Sequence, residues 1–171
     1  MTCKWTFARK VRLQGNDNLA KLLQFYLWET PVPDTSQKGK TFKEYGWSKS
    51  NYATLHARMR RCSGFPDSKA ERWVESTASR VENALAKLGR LDGYDCSFEF
   101  AVHTVKDGLN KTEALFYLIR NAFAHGGFRV SGYEGKKYYV FENRQGCIVK
   151  GRAILEEQTL LDWIVIVKSG P

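Results

Sequence analysis

Long apolar runs are missing from this chain of 171 residues. The longest, Leu160 to Val167, is broken by Asp162 and falls far short of the ~20 residues a membrane span needs, so no membrane association is expected. Met1 to Lys10 holds neither the apolar stretch nor the small-residue cleavage site of a secretory leader, which makes the cytoplasm the default location. Cysteine is scarce: Cys3, Cys62, Cys96 and Cys147 stand far apart, with no C-x-x-C pair. That spacing fits neither a zinc site nor a redox motif, and the four read as reduced, buried thiols. No internal repeat or low-complexity tract is present, which argues against a solenoid. Also missing are H-E-x-x-H, a Ser-His-Asp signature, a Walker loop and the glycines of a dinucleotide site. The zinc-hydrolase, serine-hydrolase, nucleotide-hydrolase and dinucleotide classes therefore lose their support, and no metal and no cofactor is expected.

What is present is a globular composition, 43% hydrophobic, 26% charged and 13% aromatic with five Trp. A mass of 19.6 kDa suits one domain over 1–171. A globule of that size removes roughly 70% of its unfolded surface from water, enough to fold without disulfides or metal. The formal charge is +9, and up to Arg72 there are 14 Lys and Arg against 6 Asp and Glu, leaving 13 against 12 beyond it. A basic, aromatic-rich half beside a balanced half is the footprint of a surface that meets phosphate, although a solubilising charge or an acidic protein partner would give the same count.

Met1 to Leu13 reads as a strand or an extended arm, with Cys3, Trp5 and Phe7 alternating. Asn16 or Asp17 then caps a helix carrying Leu19, Leu22, Leu23, Tyr26 and Leu27, and Pro31 with Pro33 stops it. Thr30 to Lys40 is the best linker candidate. Ser48 opens a helix to about Cys62, with Arg58, Arg60 and Arg61 near its negative end. The longest helix is expected from Ser68 to about Gly89, with Trp73, Val74, Val81, Leu85 and Leu88 inward, and a shorter one from Phe98 to Val105. Asn110 or Thr112 begins the next helix, with Leu115, Leu118, Ile119, Ala122 and Phe123 inward and Gly126-Gly127 at its end. The match of Asn110-Lys-Thr112 to a glycosylation acceptor is better read as that cap. Lys137 to Glu142 and Cys147 to Ile154 form a hairpin signal around Asn143-Arg-Gln-Gly146, and Glu156 to Lys168 closes the chain as a helix. The expected fold is mainly α, an antiparallel helix bundle with a β-hairpin inserted before its last helix.

Of three histidines, His56 and His103 read as structural. His125 differs by its company, Arg120-Asn121-Ala-Phe-Ala-His125-Gly-Gly. Asn121 and His125 are four apart and share a helix face, so the amide could orient the imidazole, while the long side chain of Arg120 could swing toward the same cleft. A cation, an amide and a titratable imidazole would then converge where the helix dipole favours imidazolium.

The segment Arg120-Asn121-Ala-Phe-Ala-His125 resembles the R-x-x-x-x-H signature of the HEPN superfamily, including its preference for Asn, Asp or His after the Arg. Ala114 to Pro171 resembles a plasmid-borne bacterial HEPN family with an inserted hairpin. The resemblance implies a HEPN-like helical bundle, a homodimer that pairs two motif helices in one cleft, and a metal-independent ribonuclease of toxin-antitoxin or defence systems. It carries over Arg120, Asn121 and His125 only. Antitoxin-paired members modified by nucleotidyltransferases carry a Tyr two residues after the His; here Gly127 stands there, so that modification is not expected.

On this reading the chain is an endoribonuclease acting through 2′-hydroxyl attack. His125 takes a proton-transfer role, since an imidazole ordinarily titrates near ~6.5. Arg120 holds the phosphate with its charged fork, and Asn121 fixes the imidazole tautomer or binds a phosphate oxygen. With one His per protomer, acid and base come from two chains, and Arg58, Arg60 and Arg61 bind RNA. The alternative is a HEPN-like dimer that holds RNA or a protein without cutting. An antitoxin or regulatory partner is compatible with either, and a DNA-reading helix around Arg58-Met-Arg60-Arg61 is the weakest reading, for want of a helix-turn-helix signature.

Overall fold

Asn16 caps the first helix, α1 (Asp17–Leu23), its side chain accepting from the Leu19 N–H at 3.1 Å. A wider π-type turn continues over Gln24–Glu29 until Pro31, which has no N–H to offer a helix. The computed structural model describes residues 16–33, 35, 39–65 and 73–171. The strand or arm expected over Met1 to Leu13 and the helix start at Ser68 lie outside them. The remaining helices are α2 (Tyr52–Cys62), α3 (Ala78–Lys87), α4 (Lys111–Ala124) and α5 (Glu157–Ser169).

The expectation of a mainly α bundle fails on the sheet. Five strands, β1 (Trp73–Ser76), β2 (Phe100–Thr104), β3 (Phe128–Tyr133), β4 (Lys136–Gln145) and β5 (Ile148–Glu156), form one sheet in the order β1-β2-β5-β4-β3. β1 runs parallel to β2, and the other neighbours are antiparallel. The fold is α/β. The expected hairpin is present as β4 and β5, but it is the middle of the sheet rather than an insertion into a bundle. The helix expected over Phe98 to Val105 is β2, with Phe100, Ala101, Val102 and His103 all buried. A strand covered on both faces loses the polar alternation that would distinguish it from a buried helix. The long helix expected up to Gly89 is cut by β1 and starts only at Ala78.

Helices cover both faces. Gly151 of β5 lies against His103 and Leu118, on the side of α4. The next residue, Arg152, points the other way and donates to the Leu91 carbonyl at 2.6 Å, just after α3. On the α4 side an aromatic core joins the layers: Phe116 packs on Phe25, Tyr26, Phe42 and Trp163, and Phe123 on Phe128, Tyr139 and Phe141. Its buried polar tips are satisfied. Tyr26 donates to the Leu160 carbonyl, Trp47 to that of Val167 and Trp163 to that of Met59, each at 2.9 Å. Cys62, Cys96 and Cys147 are free thiols, as expected of reduced cysteines, but only Cys96 is buried and Cys147 is exposed. Among the described residues no helix is long and apolar enough to cross a membrane.

Candidate functional site

Every part of α4 can be traced to its sequence. Asn110 accepts from the Glu113 N–H at 3.0 Å while the Glu113 carboxylate accepts from the Asn110 N–H at 2.8 Å, a reciprocal cap that assigns Asn110 to the helix start. Ten of its 14 residues are buried, Leu115, Phe116, Leu118, Ile119, Ala122 and Phe123 among them. At the far end His125 is the capping residue, Gly126 is left-handed at φ 69, and the Gly127 N–H donates to the Ala122 carbonyl at 2.7 Å. This is the Schellman closure, which needs a glycine at the position Gly126 holds.

Gly127 is required for a different reason: a Cβ there would run into the backbone carbonyl of Glu142, and the Glu142 N–H donates to the Gly127 carbonyl at 2.7 Å. The turn after His125 is thereby docked onto β4, and no side chain, tyrosine included, fits where Gly127 stands. Behind it, Arg152, fully buried, donates through Nε to the Glu142 carboxylate at 2.7 Å, and Arg144 binds the other oxygen of that carboxylate at 2.8 Å. A buried carboxylate between two guanidiniums holds the end of α4 against the sheet.

The three motif residues are placed differently from one another. Arg120 is half-buried, and its Nη1 donates to the Asn121 side-chain oxygen at 3.0 Å. Asn121 is only 8% exposed. His125 is exposed at the cap, and among the described residues its imidazole has no hydrogen-bond partner. The expected hydrogen bond from Asn121 to the imidazole is therefore not made: only the backbone links the two, His125 N–H donating to the Asn121 carbonyl at 2.9 Å. The amide oxygen instead accepts from the adjacent Arg120 guanidinium, while the imidazole stays exposed at the C-cap. The structure brings Arg120 and Asn121 together and leaves His125 exposed at the end of α4, with exposed Arg129 four residues beyond it at the start of β3.

The three arginines of α2 also separate. Arg58 donates to the Gly170 carbonyl at 2.7 Å and to the Ser169 hydroxyl at 3.1 Å, with its guanidinium over the Trp47 ring. It staples α2 to the last residues of the chain. Arg60 is half-buried, and Arg61 alone of the three is exposed. The other two histidines are shielded to different degrees. His103 is 1% exposed and its pKa is pushed down to about 4 by burial. His56 is half-buried and pushed down to about 4 by burial, with Arg60 and Lys111 adding to the effect.

Sequence reasoning missed one feature. Asn121 lines a pocket of about 630 Å³ that also takes in Lys106, Tyr117, Arg144 and Lys150. These residues come from α4, β4, β5 and the loop after β2, and only the sheet order brings them together. Comparison with protein-family models, with curated proteins and with solved structures found no match for the chain.

Proposed function

We infer that this chain is a metal-independent endoribonuclease in which Arg120 and His125 act on the RNA phosphate, the activity that resemblance to the HEPN superfamily implies. The reading rests on the motif helix, not on the bundle, and one observation carries it: an exposed imidazole without a partner, five residues beyond a guanidinium whose orientation is set by Asn121. Cleavage by 2′-hydroxyl attack needs a base for the hydroxyl proton, an acid for the leaving oxygen and positive charge at phosphorus. An imidazole at a solvent-facing helix end can take or give a proton. The Arg120 fork supplies the charge, and among the described residues only Asn121 accepts from it.

One His125 per chain serves one proton transfer at a time, so acid and base come from two copies. The body of α4 is buried within one copy, which leaves its C-terminal end, around His125 and the start of β3, as the part of the motif helix open to a second copy. A nuclease of this kind suits a toxin or defence effector restrained by a partner protein. The alternative, holding RNA without cutting it, draws on the direction of Asn121, which orients the cation rather than the imidazole. Incubation with RNA in EDTA separates the two: the proposal expects fragments ending in a 2′,3′-cyclic phosphate, and intact, bound RNA would replace it with the holding reading.

A further inference from the structure

The pocket beside Asn121 has a composition that cleavage does not call on. It opens between the end of β2, the middle of α4 and the far ends of β4 and β5. Its cations are Lys106, Lys150 and Arg144, the last already paired with Glu142, and its single carboxylate is that of exposed Asp107. Asn121 adds the decisive group. Its side-chain oxygen is committed to Arg120, so the amide N–H2 is the end left for the pocket, and it has no acceptor among the described residues. Asn121, only 8% exposed, thus offers its amide donors to a cavity that also carries the ammonium groups of Lys106 and Lys150, a donor set suited to an acceptor-rich anion. Tyr117 closes one wall, with the Lys106 ammonium 5.1 Å from its ring centre, and the volume falls within the range of small-molecule sites.

We propose that this pocket binds a phosphomonoester, its phosphate oxygens accepting from Asn121 Nδ2 and pairing with Lys106 and Lys150, and the rest of the molecule lying along Tyr117. A dianion of three oxygens matches the donors on offer, the Asn121 amide and the ammonium groups of Lys106 and Lys150. The phosphate can belong to a free mononucleotide or to the 5′ end of an RNA chain; both present the same group. Because the Arg120–Asn121 hydrogen bond holds the amide in this orientation, an occupied pocket also fixes Arg120. The inference does not depend on cleavage and goes beyond it.

Equilibrium dialysis of the full chain against adenosine 5′-monophosphate, adenosine and a 5′-phosphorylated pentaribonucleotide with 2′-O-methyl riboses, which 2′-hydroxyl attack cannot cut, tests it. The monophosphate, the phosphorylated oligonucleotide or both should bind at least roughly tenfold more tightly than adenosine, as expected for charge-assisted contacts. Binding of the monophosphate alone assigns a free nucleotide, and binding of the oligonucleotide assigns an RNA end. Asn121→Asp keeps an acceptor for Arg120 but removes the amide donors and adds a negative charge. It should weaken binding by roughly tenfold or more, and Lys150→Glu, on a half-buried strand residue, should do the same. His125→Ala should bind as the wild type does, so loss of cleavage and loss of the pocket are separately visible. Equal binding of adenosine, no binding of either phosphorylated probe, or wild-type affinity in both pocket variants with unaltered circular dichroism would overturn the proposal.

Discussion

Acid should unfold this protein through His103, and the size of the effect follows from its surroundings. The ring sits on β2 beneath α4, fully buried, with its Nδ1 3.1 Å from the Thr104 carbonyl oxygen and its Nε2 unpartnered. Burial pushes its pKa from 6.5 down to about 4, so the folded chain keeps it neutral while the unfolded chain protonates it. Stability from this group is thus complete above pH 6.5 and is lost as pH falls toward 4. A shift of about 2.5 units, at ~1.4 kcal/mol per unit, makes the loss roughly 3 kcal/mol, large against a typical domain stability of ~5–15 kcal/mol. Buried Glu99, whose pKa burial raises, works in the opposite direction, and half-buried His56 works in the same one. Both are common to wild type and variant. Urea unfolding of the wild type and of His103→Asn at pH 7, 6, 5 and 4.5 therefore isolates the His103 contribution: whatever the variant costs at pH 7, its disadvantage should shrink by about 2–3 kcal/mol at the acid end. Parallel stability profiles across that range would refute the burial argument.

Gly127→Ala forces its Cβ against the Glu142 carbonyl and should cost ~1–3 kcal/mol in thermal unfolding while reducing RNA cleavage, because the turn carrying His125 must move; an unshifted melting temperature would contradict the docking. Glu142→Gln removes the charge that Arg152 and Arg144 share, and leaving the Arg152 guanidinium uncompensated in the interior should cost ~3–5 kcal/mol by urea denaturation, against near-neutrality if the pair is dispensable. Arg58→Gln should lower stability by ~1.5–3 kcal/mol through its lost contacts to Ser169 and Gly170. The exposed Arg61→Gln should leave stability unchanged, and if it contacts RNA it should flatten the log-log salt slope of binding by ~0.7.

These predictions rest on features of unequal visibility in the sequence. The motif helix was legible at both ends, because Asn110 with Glu113 and Gly126 with Gly127 are local signals that need no tertiary context. The β4–β5 hairpin was legible from Tyr138-Tyr139-Val140-Phe141 and the turn after it. β2 was not, because Phe100-Ala101-Val102-His103 is covered on both faces and shows no period of two. β1 was absorbed into a helical stripe for the same want of alternation. β3 did carry a signal, Phe128 and Val130 half-buried with Arg129 exposed between them, in a short stretch next to two glycines. At the candidate site, spacing and the R-x-x-x-x-H resemblance singled out Arg120, Asn121 and His125. The spacing aimed Asn121 at the imidazole four residues on, whereas the amide oxygen accepts from the neighbouring Arg120, a contact between adjacent residues that a helical wheel does not show. The pocket had no linear signature at all: Lys106, Tyr117 and Lys150 meet only through the sheet order.

The account stands or falls on His125. Single-turnover cleavage of a defined RNA in EDTA by wild type and by His125→Ala, at matched folding by circular dichroism, measures its role directly. Loss of a general acid or base should slow the cut by at least ~100-fold with RNA affinity unchanged. Cleavage by the folded variant at the wild-type rate would contradict it.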